Sequence, residues 1–226
     1  MRTTFKIYLI CGLFLLTSRL FAQVNIKVAY NLGFVQTEVL DNIVQQFNDQ
    51  NSFRISNQLE SVDFASGIDI GLRYNFGNAN VELFYDNLST DKEALGEEPS
   101  DGSLFKERYF YNQKGFGLSL ELKTDKLAWG IGLLNRSQVF RTNISTSDEK
   151  RDVLRHNHLA LKLHTGVYFG GTGTISFGIK PFYIFPLSRT DLTPLSSEWD
   201  LSPGNPSADR FGTFGLSFVF YNGPQG

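Results

Sequence analysis

The sequence has little cysteine and no long hydrophobic segment beyond its N-terminus. Its single cysteine is Cys11, so the chain forms no internal disulfide and holds no cysteine cluster for a metal or redox centre. No stretch after residue 22 approaches eighteen uninterrupted apolar residues, which argues against a transmembrane helix there. A net charge of −2 gives no electrostatic reason to expect nucleic acid as a partner. We therefore expect no cofactor, no metal and no nucleic acid.

The first 22 residues have the organisation of a secretory signal peptide. Arg2 and Lys6 precede an apolar run over 7–16, and a small residue, Ala22, stands before Gln23. The apolar run is too short to cross a membrane as a helix. We expect residues 1–22 to be removed on export, taking Cys11 with them, and residues 23–226 to form one domain.

The mature sequence alternates apolar residues with small or charged ones. In SGIDIGLRYNF (66–76), every second residue from Ile68 to Phe76 is apolar, and the residues between them are Gly67, Asp69, Gly71, Arg73 and Asn75. A period of two is typical of a β-strand with one apolar face. The pattern predicts eight strands, over 24–34, 66–76, 81–86, 115–122, 127–134, 158–169, 175–185 and 213–220.

The connections between these strands alternate in length. Compact turn sequences follow the second, fourth and sixth strands, at 77–78, 124–125 and 170–172. The other links are long, at roughly 36–61, 87–106, 143–152 and 188–207. This alternation predicts an eight-stranded antiparallel up-and-down barrel with both termini at the short-turn end.

The apolar face could form the core of a soluble calyx or sandwich, or it could meet lipid in a membrane barrel. Nine glycines share the polar face, which favours the membrane barrel because a narrow interior needs small residues beside long charged ones: Gly67, Gly71, Gly115, Gly117, Gly130, Gly132, Gly166, Gly178 and Gly215. On the apolar face, the first polar residues are Asn112 and Asn135. Their distance from the turn that joins their two strands is about the length of one membrane crossing. Pro181 predicts a bulge or kink in the seventh strand.

The strand pattern and the closing stretch FGTFGLSFVFYN (211–222) resemble the small eight-stranded outer-membrane β-barrels of Gram-negative bacteria, the OmpA/OmpX-like superfamily. The resemblance covers roughly residues 23–221. It implies an outer-membrane location, contact with membrane lipid and lipopolysaccharide, and recognition by the barrel-assembly machinery. In that family the last strand usually ends the chain in an aromatic residue, whereas here five residues follow Tyr221.

The inward face collects eight charged residues of both signs: Lys27, Asp69, Arg73, Glu82, Asp86, Glu121, Lys162 and Lys180. They could line a narrow water-filled channel or form a closed, salt-bridged plug. Because eight strands leave room only for side chains, we expect the plug, with Arg73 paired to Glu82 across one hairpin.

The histidines raise the alternative of an enzyme. His156 and His158 share a strand face, and some barrels of this type modify lipid A or phospholipids with a histidine, a serine and an acidic residue. Ser137 and Asp152 are conceivable companions, but no motif links them to either histidine. Two ligands are also fewer than a metal site normally uses. We therefore predict no catalytic residue.

The first long link contains a helical pattern, TEVLDNIVQQFNDQ (37–50). Val39, Ile43 and Phe47 share one face, which would either cap the barrel or bind a partner protein. Trp199 in the last link is a second candidate contact, and the acidic second link is expected to be a solvated loop. The sequence thus predicts a non-enzymatic barrel that acts structurally, or on an envelope protein, through its extracellular loops.

Overall fold

A computed structural model describes residues 24–124, 127–144, 149–169, 175–201 and 207–223. The expected signal peptide lies outside these residues. The barrel strands are β1 (Val24–Val35), β2 (Phe64–Phe76), β3 (Ala79–Glu97), β4 (Leu104–Thr124), β5 (Leu127–Ile144), β6 (Arg151–Phe169), β7 (Ser176–Pro186) and β8 (Thr213–Tyr221). No helix within the described residues is long and apolar enough to cross a membrane.

The eight strands close into an antiparallel barrel, as the sequence predicts. Each strand pairs with its neighbour in the chain, and β1 pairs with β8 through register partners such as Tyr30 and Phe218. Following the paired residues once around the barrel from Tyr74 leads back to β2 at Phe64, ten residues away. This stagger tilts the strands and fixes a narrow interior.

The apolar faces of the strands point outward. The outward side chains of Leu118, Trp129 and Phe220 are 57%, 61% and 49% exposed, whereas inward neighbours such as Ser119 and Val219 are buried. A water-soluble protein would not expose a continuous belt of this kind on every strand. The belt therefore faces lipid, as expected for a transmembrane barrel.

Inward glycines make room for large neighbours. A side chain at Gly130 would meet the His164 ring at about 2.2 Å, and one at Gly117 would meet the Phe84 ring at 2.5 Å. Gly77 has a different role, because its φ of 64° turns the chain between β2 and β3.

The strands on one side of the barrel are longer than predicted. β3 to β6 have 19, 21, 18 and 19 residues, whereas β7 and β8 have 11 and 9. The expected second loop, 87–106, is mostly paired strand, because the pairs from Asn87–Lys114 to Glu97–Leu104 continue the hairpin. Polar side chains outside the apolar belt hid this continuation from the hydrophobic pattern.

Pro181 interrupts the sheet without shifting its register. Pairing between β6 and β7 stops after His164–Phe182 and resumes at Val167–Ile179 in the same register. The predicted bulge is therefore a gap in the ladder, since proline has no N–H to donate. On its other side, Pro181 stays paired with Leu216.

The long links fold over the outer end of the barrel. Helix α1 (Glu38–Gln50) lies where the sequence predicts a helix, and a short helix α2 (Thr193–Glu198) lies in the last link. A three-residue strand, Ile55–Asn57, covers the upper edge of β3, and Thr190–Asp191 pairs with Ala208–Asp209. We call the described parts of these two links, residues 36–63, 187–201 and 207–212, the cap.

Candidate functional site

The lower lumen is organised around two buried carboxylates. Glu82 on β3 receives Nζ of Lys27 and of Lys180 at 3.1 Å each, and the Arg73 guanidinium at 2.7 Å. The hydroxyl of Tyr221 also donates to Glu82, at 2.5 Å. Three cations from three other strands thus converge on a single carboxylate.

Glu121 on β4 is the second centre. It pairs with Arg73 at 2.5 Å and with Lys180 at 2.8 Å, so both cations bridge the two carboxylates. The Tyr168 hydroxyl donates to it at 2.7 Å, and His164 Nε2 lies 3.2 Å away. The lower network therefore ties β1, β2, β3, β4, β6, β7 and β8 together across the barrel.

Two further carboxylates, Asp69 and Asp86, form ion pairs nearer the outer end of the lumen. Asp69 accepts from Lys27 at 2.8 Å and lies 3.6 Å from Lys162. Asp86 pairs with Arg136 at 2.9 Å, and Arg136 also donates to Gln113 at 2.8 Å. These ion pairs cross the lumen at a second level.

Aromatic rings fill the space between the charges. Nζ of Lys27 and of Lys162 lie 4.6 and 4.8 Å from the centroid of the Phe84 ring, and the Arg73 guanidinium lies 4.0 Å from that of Tyr221. The void enclosed near Glu82 measures about 10 Å³, roughly the space of one water molecule.

All eight charged residues predicted to face the lumen are buried there, and each makes an ion pair. The sequence interpretation missed Arg136, Tyr168 and Tyr221. Arg136 shares its parity with Gly130 and Gly132, and that parity would have placed it inside. With Arg136 included, the part of the chain that the structure describes places five buried cations and four buried carboxylates in the lumen.

The cap has an apolar core of its own. Phe47 of α1 packs against Trp199 with ring centroids 5.1 Å apart, and Trp199 meets Tyr109 of β4 at 5.9 Å. Phe211 stacks on Tyr111 and contacts Phe140, at 5.7 and 5.6 Å. Both links and the upper ends of β4 and β5 therefore share one cluster.

Polar contacts join the two links within the cap. Asp209 accepts from the backbone N–H groups of Val39 and Leu40 at 2.8 and 3.2 Å, which places a carboxylate at the N-terminus of α1. Asn48 and Leu59 exchange two hydrogen bonds, at 2.8 and 2.9 Å. The first link is therefore folded rather than extended.

An acidic side chain lies inside the cap. Glu107 on β4 is 4% exposed and accepts from Trp199 Nε1 at 3.1 Å. Burial, with the nearby Glu198 carboxylate as a smaller contribution, raises the pKa of Glu107 to about 7. Arg151 and Thr142 hold Glu198 from the neighbouring strands.

A polar, ion-paired interior and an apolar exterior together decide how the barrel is placed. A closed barrel of eight strands with this inverted pattern is stable in a bilayer, where its wall meets hydrocarbon. The chain is a small outer-membrane β-barrel. In barrels of this type the short turns usually lie at the periplasmic end and the long links outside the cell.

No model of a protein family matches the sequence, and no curated protein matches it. Among solved structures, Neisserial surface protein A aligns with 10% identity and a TM-score of 0.45, over 88% of this chain and 96% of that one. The attachment invasion locus protein Ail of Yersinia pestis, in complex with the heparin analogue sucrose octasulfate, aligns with 14% identity and a TM-score of 0.44, over 88% and 97%. The outer-membrane protease OmpT of Escherichia coli aligns with 7% identity and a TM-score of 0.35, over 88% and 94%. Likenesses this distant say nothing about what the barrel binds or does.

The four residues offered as candidate partner contacts, Val39, Ile43, Phe47 and Trp199, lie within the cap. Ile43, Phe47 and Trp199 are 4%, 3% and 7% exposed, and Val39 is partly buried against the same cluster. Their apolar surface is covered by the barrel's own links and strands. In this arrangement they hold the cap together and present little surface to another protein.

The histidines are spread along one strand. His156 Nε2 lies 3.1 Å from Ser188 Oγ at the outer rim, and its ring stacks on that of His158 at 5.4 Å. Asp152 is bound to Arg141 and Arg155, so it does not orient His156. Within the described residues, no group of three or more histidine, cysteine or acidic side chains could hold a metal ion.

Proposed function

We propose that this outer-membrane barrel is a non-conducting, non-enzymatic scaffold that presents a folded extracellular surface to a protein of the cell envelope. The observation that carries the proposal is the lumen, in which ion pairs among side chains of β1 to β7 lie beneath a packed cap. We infer a closed lumen because side chains fill the interior of an eight-stranded barrel and the void beside Glu82 measures only about 10 Å³.

Planar-bilayer recording tests the closed lumen. We expect purified protein to show no steady single-channel steps, and Lys162→Ala to remain silent because the Glu82 and Glu121 centres stay paired. Steady steps in the wild type whose conductance changes in Lys162→Ala would overturn the closed lumen and favour a narrow channel.

The surface best placed for a partner lies at the tip of the hairpin formed by β3 and β4. Phe53 and Leu104 are 69% and 65% exposed. Their segments flank the same residue, because the Glu97 N–H donates to the Arg54 carbonyl and Glu97 pairs with Leu104 on its other side. Leu104 lies eight residues beyond Asn112, roughly 27 Å along the strand from the edge of the apolar belt. Lipid does not reach these side chains, so exposed apolar surface here suits a protein contact.

A pull-down from native membranes tests this surface. Phe53→Ser with Leu104→Ser should lose a co-purifying envelope protein while heat-modifiable migration, the sign of a folded barrel, stays normal. The matched control is Leu127→Ser, an exposed leucine at the opposite end of the barrel. Equal retention by wild type and the double variant would show that the tip is not the contact.

A lipid-hydrolysing enzyme is the second candidate, and the bond between His156 and Ser188 favours it. Histidine beside serine can remove a proton from the hydroxyl as it attacks an ester. The third group that normally orients the histidine is not supplied by Asp152. Release of fatty acid from lipopolysaccharide by the wild type, and its loss in Ser188→Ala, would establish the enzyme and refute the scaffold.

We further propose that the barrel-assembly machinery reads Phe220 rather than the final aromatic residue of β8. Phe220 is 49% exposed on the lipid side, whereas Tyr221 is buried and bonded to Glu82. Phe220→Ala should slow assembly in the outer membrane. The same change at Phe214, exposed to a similar degree at the other end of β8, should have less effect.

A further inference from the structure

Among the residues that the structure describes, the lumen carries one more cation than it carries carboxylates. Arg136 and Asp86 form a pair of their own, so the excess belongs to the group around Glu82 and Glu121. That group contains four cations and three carboxylates: Lys27, Arg73, Lys162, Lys180, Asp69, Glu82 and Glu121. One positive charge is therefore left over inside the membrane-spanning part of the barrel.

Lys162 is the cation of this group with the weakest ion pair. Its Nζ lies 3.6 Å from Oδ2 of Asp69, and the same oxygen accepts from Lys27 at 2.8 Å. The Lys162 Nζ also lies 4.8 Å from the centroid of the Phe84 ring and 5.2 Å from that of Phe182. A buried ammonium group that shares its only carboxylate with another cation is incompletely compensated, and such a charge is strongly destabilising.

An enclosed void lies beside Lys162. It measures about 10 Å³, and Lys27 and Lys180 also line it. Two further lining residues, Ser119 and Ser217, carry hydroxyl groups. The Ser119 Oγ is buried and has no hydrogen-bond partner among the described residues. Three lysines and an unpartnered hydroxyl donor therefore surround one small space.

Two other residues that line the void, Glu82 and His164, bear on the charge it can hold. Both carboxylate oxygens of Glu82 already accept from cations, Oε1 from Arg73 and Oε2 from Lys27. His164 faces Glu121 through Nε2, while its Nδ1 is buried and unpartnered within the described chain. The Glu82 charge is therefore compensated, and an anion in the void meets an excess of cations.

The size of the void selects the class of anion. A space of about 10 Å³ holds one particle of the size of water, so phosphate, carboxylates and larger organic anions do not fit. A halide ion is only slightly larger than a water molecule, and it carries the single negative charge that the group needs. A water molecule could bond to Ser119 but would leave the extra charge of Lys162 uncompensated.

We propose that the void beside Lys162 binds one chloride ion, which accepts from Ser119 and neutralises the buried excess charge. The inference rests on the closed lumen of the proposed function, because water in an open lumen would screen the charge. The two ideas fail separately. Single-channel steps would refute the closed lumen, whereas a silent barrel without a bound halide would refute the chloride site alone.

Crystals of the protein refolded in sodium bromide test the site directly, because bromide resembles chloride and scatters anomalously. Refolding is used because a closed lumen takes up an ion while the barrel forms. We expect one anomalous peak in the void, in contact with Ser119 Oγ and Lys162 Nζ. A void without an anomalous peak, or one that holds a water molecule only, would overturn the proposal.

Stability in solution provides a second test. A ligand that binds only the folded barrel raises its stability as the ligand concentration rises. The urea midpoint of heat-modifiable migration should therefore increase with sodium bromide, relative to sodium gluconate at equal ionic strength. Lys162→Met keeps an apolar side chain between Phe84 and Phe182 but removes the excess charge, so its midpoint should be the same in both salts. Ser119→Ala should need about tenfold more bromide for the same increase.

Lys114→Met is the matched control for the loss of a lysine. Lys114 is an exposed residue on the outward face of β4, so its replacement should leave the bromide dependence of the wild type unchanged. A wild type whose midpoint does not respond to bromide, as a neutral Lys162 would produce, would overturn the proposal. A response to bromide that persists in Lys162→Met would also overturn it.

Discussion

The lumen and the cap are both buried, yet they are built from opposite chemistry. Inside the membrane, the barrel encloses lysine, arginine and carboxylate groups such as Arg73 and Glu82, linked by ion pairs. Outside the membrane, the cap encloses Leu40, Phe47 and Phe211 in an apolar cluster. The polar core thus lies in the apolar part of the envelope and the apolar core in the aqueous part.

This inversion follows from what surrounds each region. Within the bilayer the strands send their apolar residues outward to lipid, so the alternating residues between them fill the interior and must satisfy one another. The links are surrounded by water, so they fold as soluble proteins do, by hiding apolar side chains. The two regions should therefore respond differently to substitution.

The largest effect is expected in the lumen. Glu82→Gln keeps the size of the side chain but removes the charge that Lys27, Arg73 and Lys180 share. Leaving buried cations undercompensated costs about 3–5 kcal/mol. We expect a barrel that unfolds at much lower denaturant concentration, measured by heat-modifiable migration in a urea series.

Glu60→Gln is the matched control for that variant. Glu60 pairs with Lys92 on the surface outside the membrane, where an ion pair contributes about 0–1 kcal/mol. Similar losses in Glu60→Gln and Glu82→Gln would show that the lumen network does not hold the barrel together.

The next largest loss of stability should be confined to the cap. Phe47→Ala leaves a cavity between α1 and Trp199 and costs about 3 kcal/mol of local stability. Because the barrel below is held by ion pairs, we expect proteases to cut within 36–63 while the barrel keeps its heat-modifiable migration. If the variant lost both the protease resistance of the cap and the heat-modifiable migration of the barrel, cap and lumen would form one cooperative unit.

A smaller loss of stability is expected from a charge on the lipid-facing wall of the barrel. Strand β4 supplies both the test residue and its control. Leu118 and Leu104 are both exposed outward residues of β4, within the apolar belt and above it. Leu118→Lys should cost about 2 kcal/mol or more because it places a charge in hydrocarbon, whereas Leu104→Lys should cost almost nothing. Equal stability of the two variants would contradict the membrane placement of the belt.

The sequence predicted the lumen far better than the cap. Alternation assigns a side to every residue of a strand, so Lys27 and Lys180 could be placed inside without knowing their partners. Partners depend on the stagger of the barrel, which brings Glu82 on β3 to Lys180 on β7. No local sequence pattern encodes that stagger. The contact between Asp209 and α1 is equally hidden from local patterns, because its residues are 169 and 170 positions apart in the chain.

The upper strands were missed for a related reason. Above the membrane the outward face of the β3–β4 hairpin is polar and its inward face packs in the cap, so the apolar face changes side near Asn87 although the pairing continues to Glu97. The helical pattern at 37–50 was correct, but periodicity could not show whether Ile43 and Phe47 meet the chain itself or another protein. Only the packed links, with Trp199 against Phe47, answer that question.

A final predicted effect is a pH dependence that only the cap should show. The folded cap raises the pKa of Glu107 from 4.5 to about 7, so the folded state holds the proton more tightly than the unfolded state. The stability from this group is fully present below about pH 4.5 and is lost as pH rises through about 7. Between pH 5 and pH 8 we expect the cap to lose about 2–3 kcal/mol, which Glu107→Gln should abolish.

Trp199 reports this change directly, because Trp129 is the other tryptophan and Trp129→Phe removes it. Urea unfolding followed by Trp199 emission should shift with pH in that background and should not shift when Glu107→Gln is added. The two proteins share every other titratable group, so the difference between them isolates Glu107. An identical pH response in both would show that the buried carboxyl does not govern the stability of the cap.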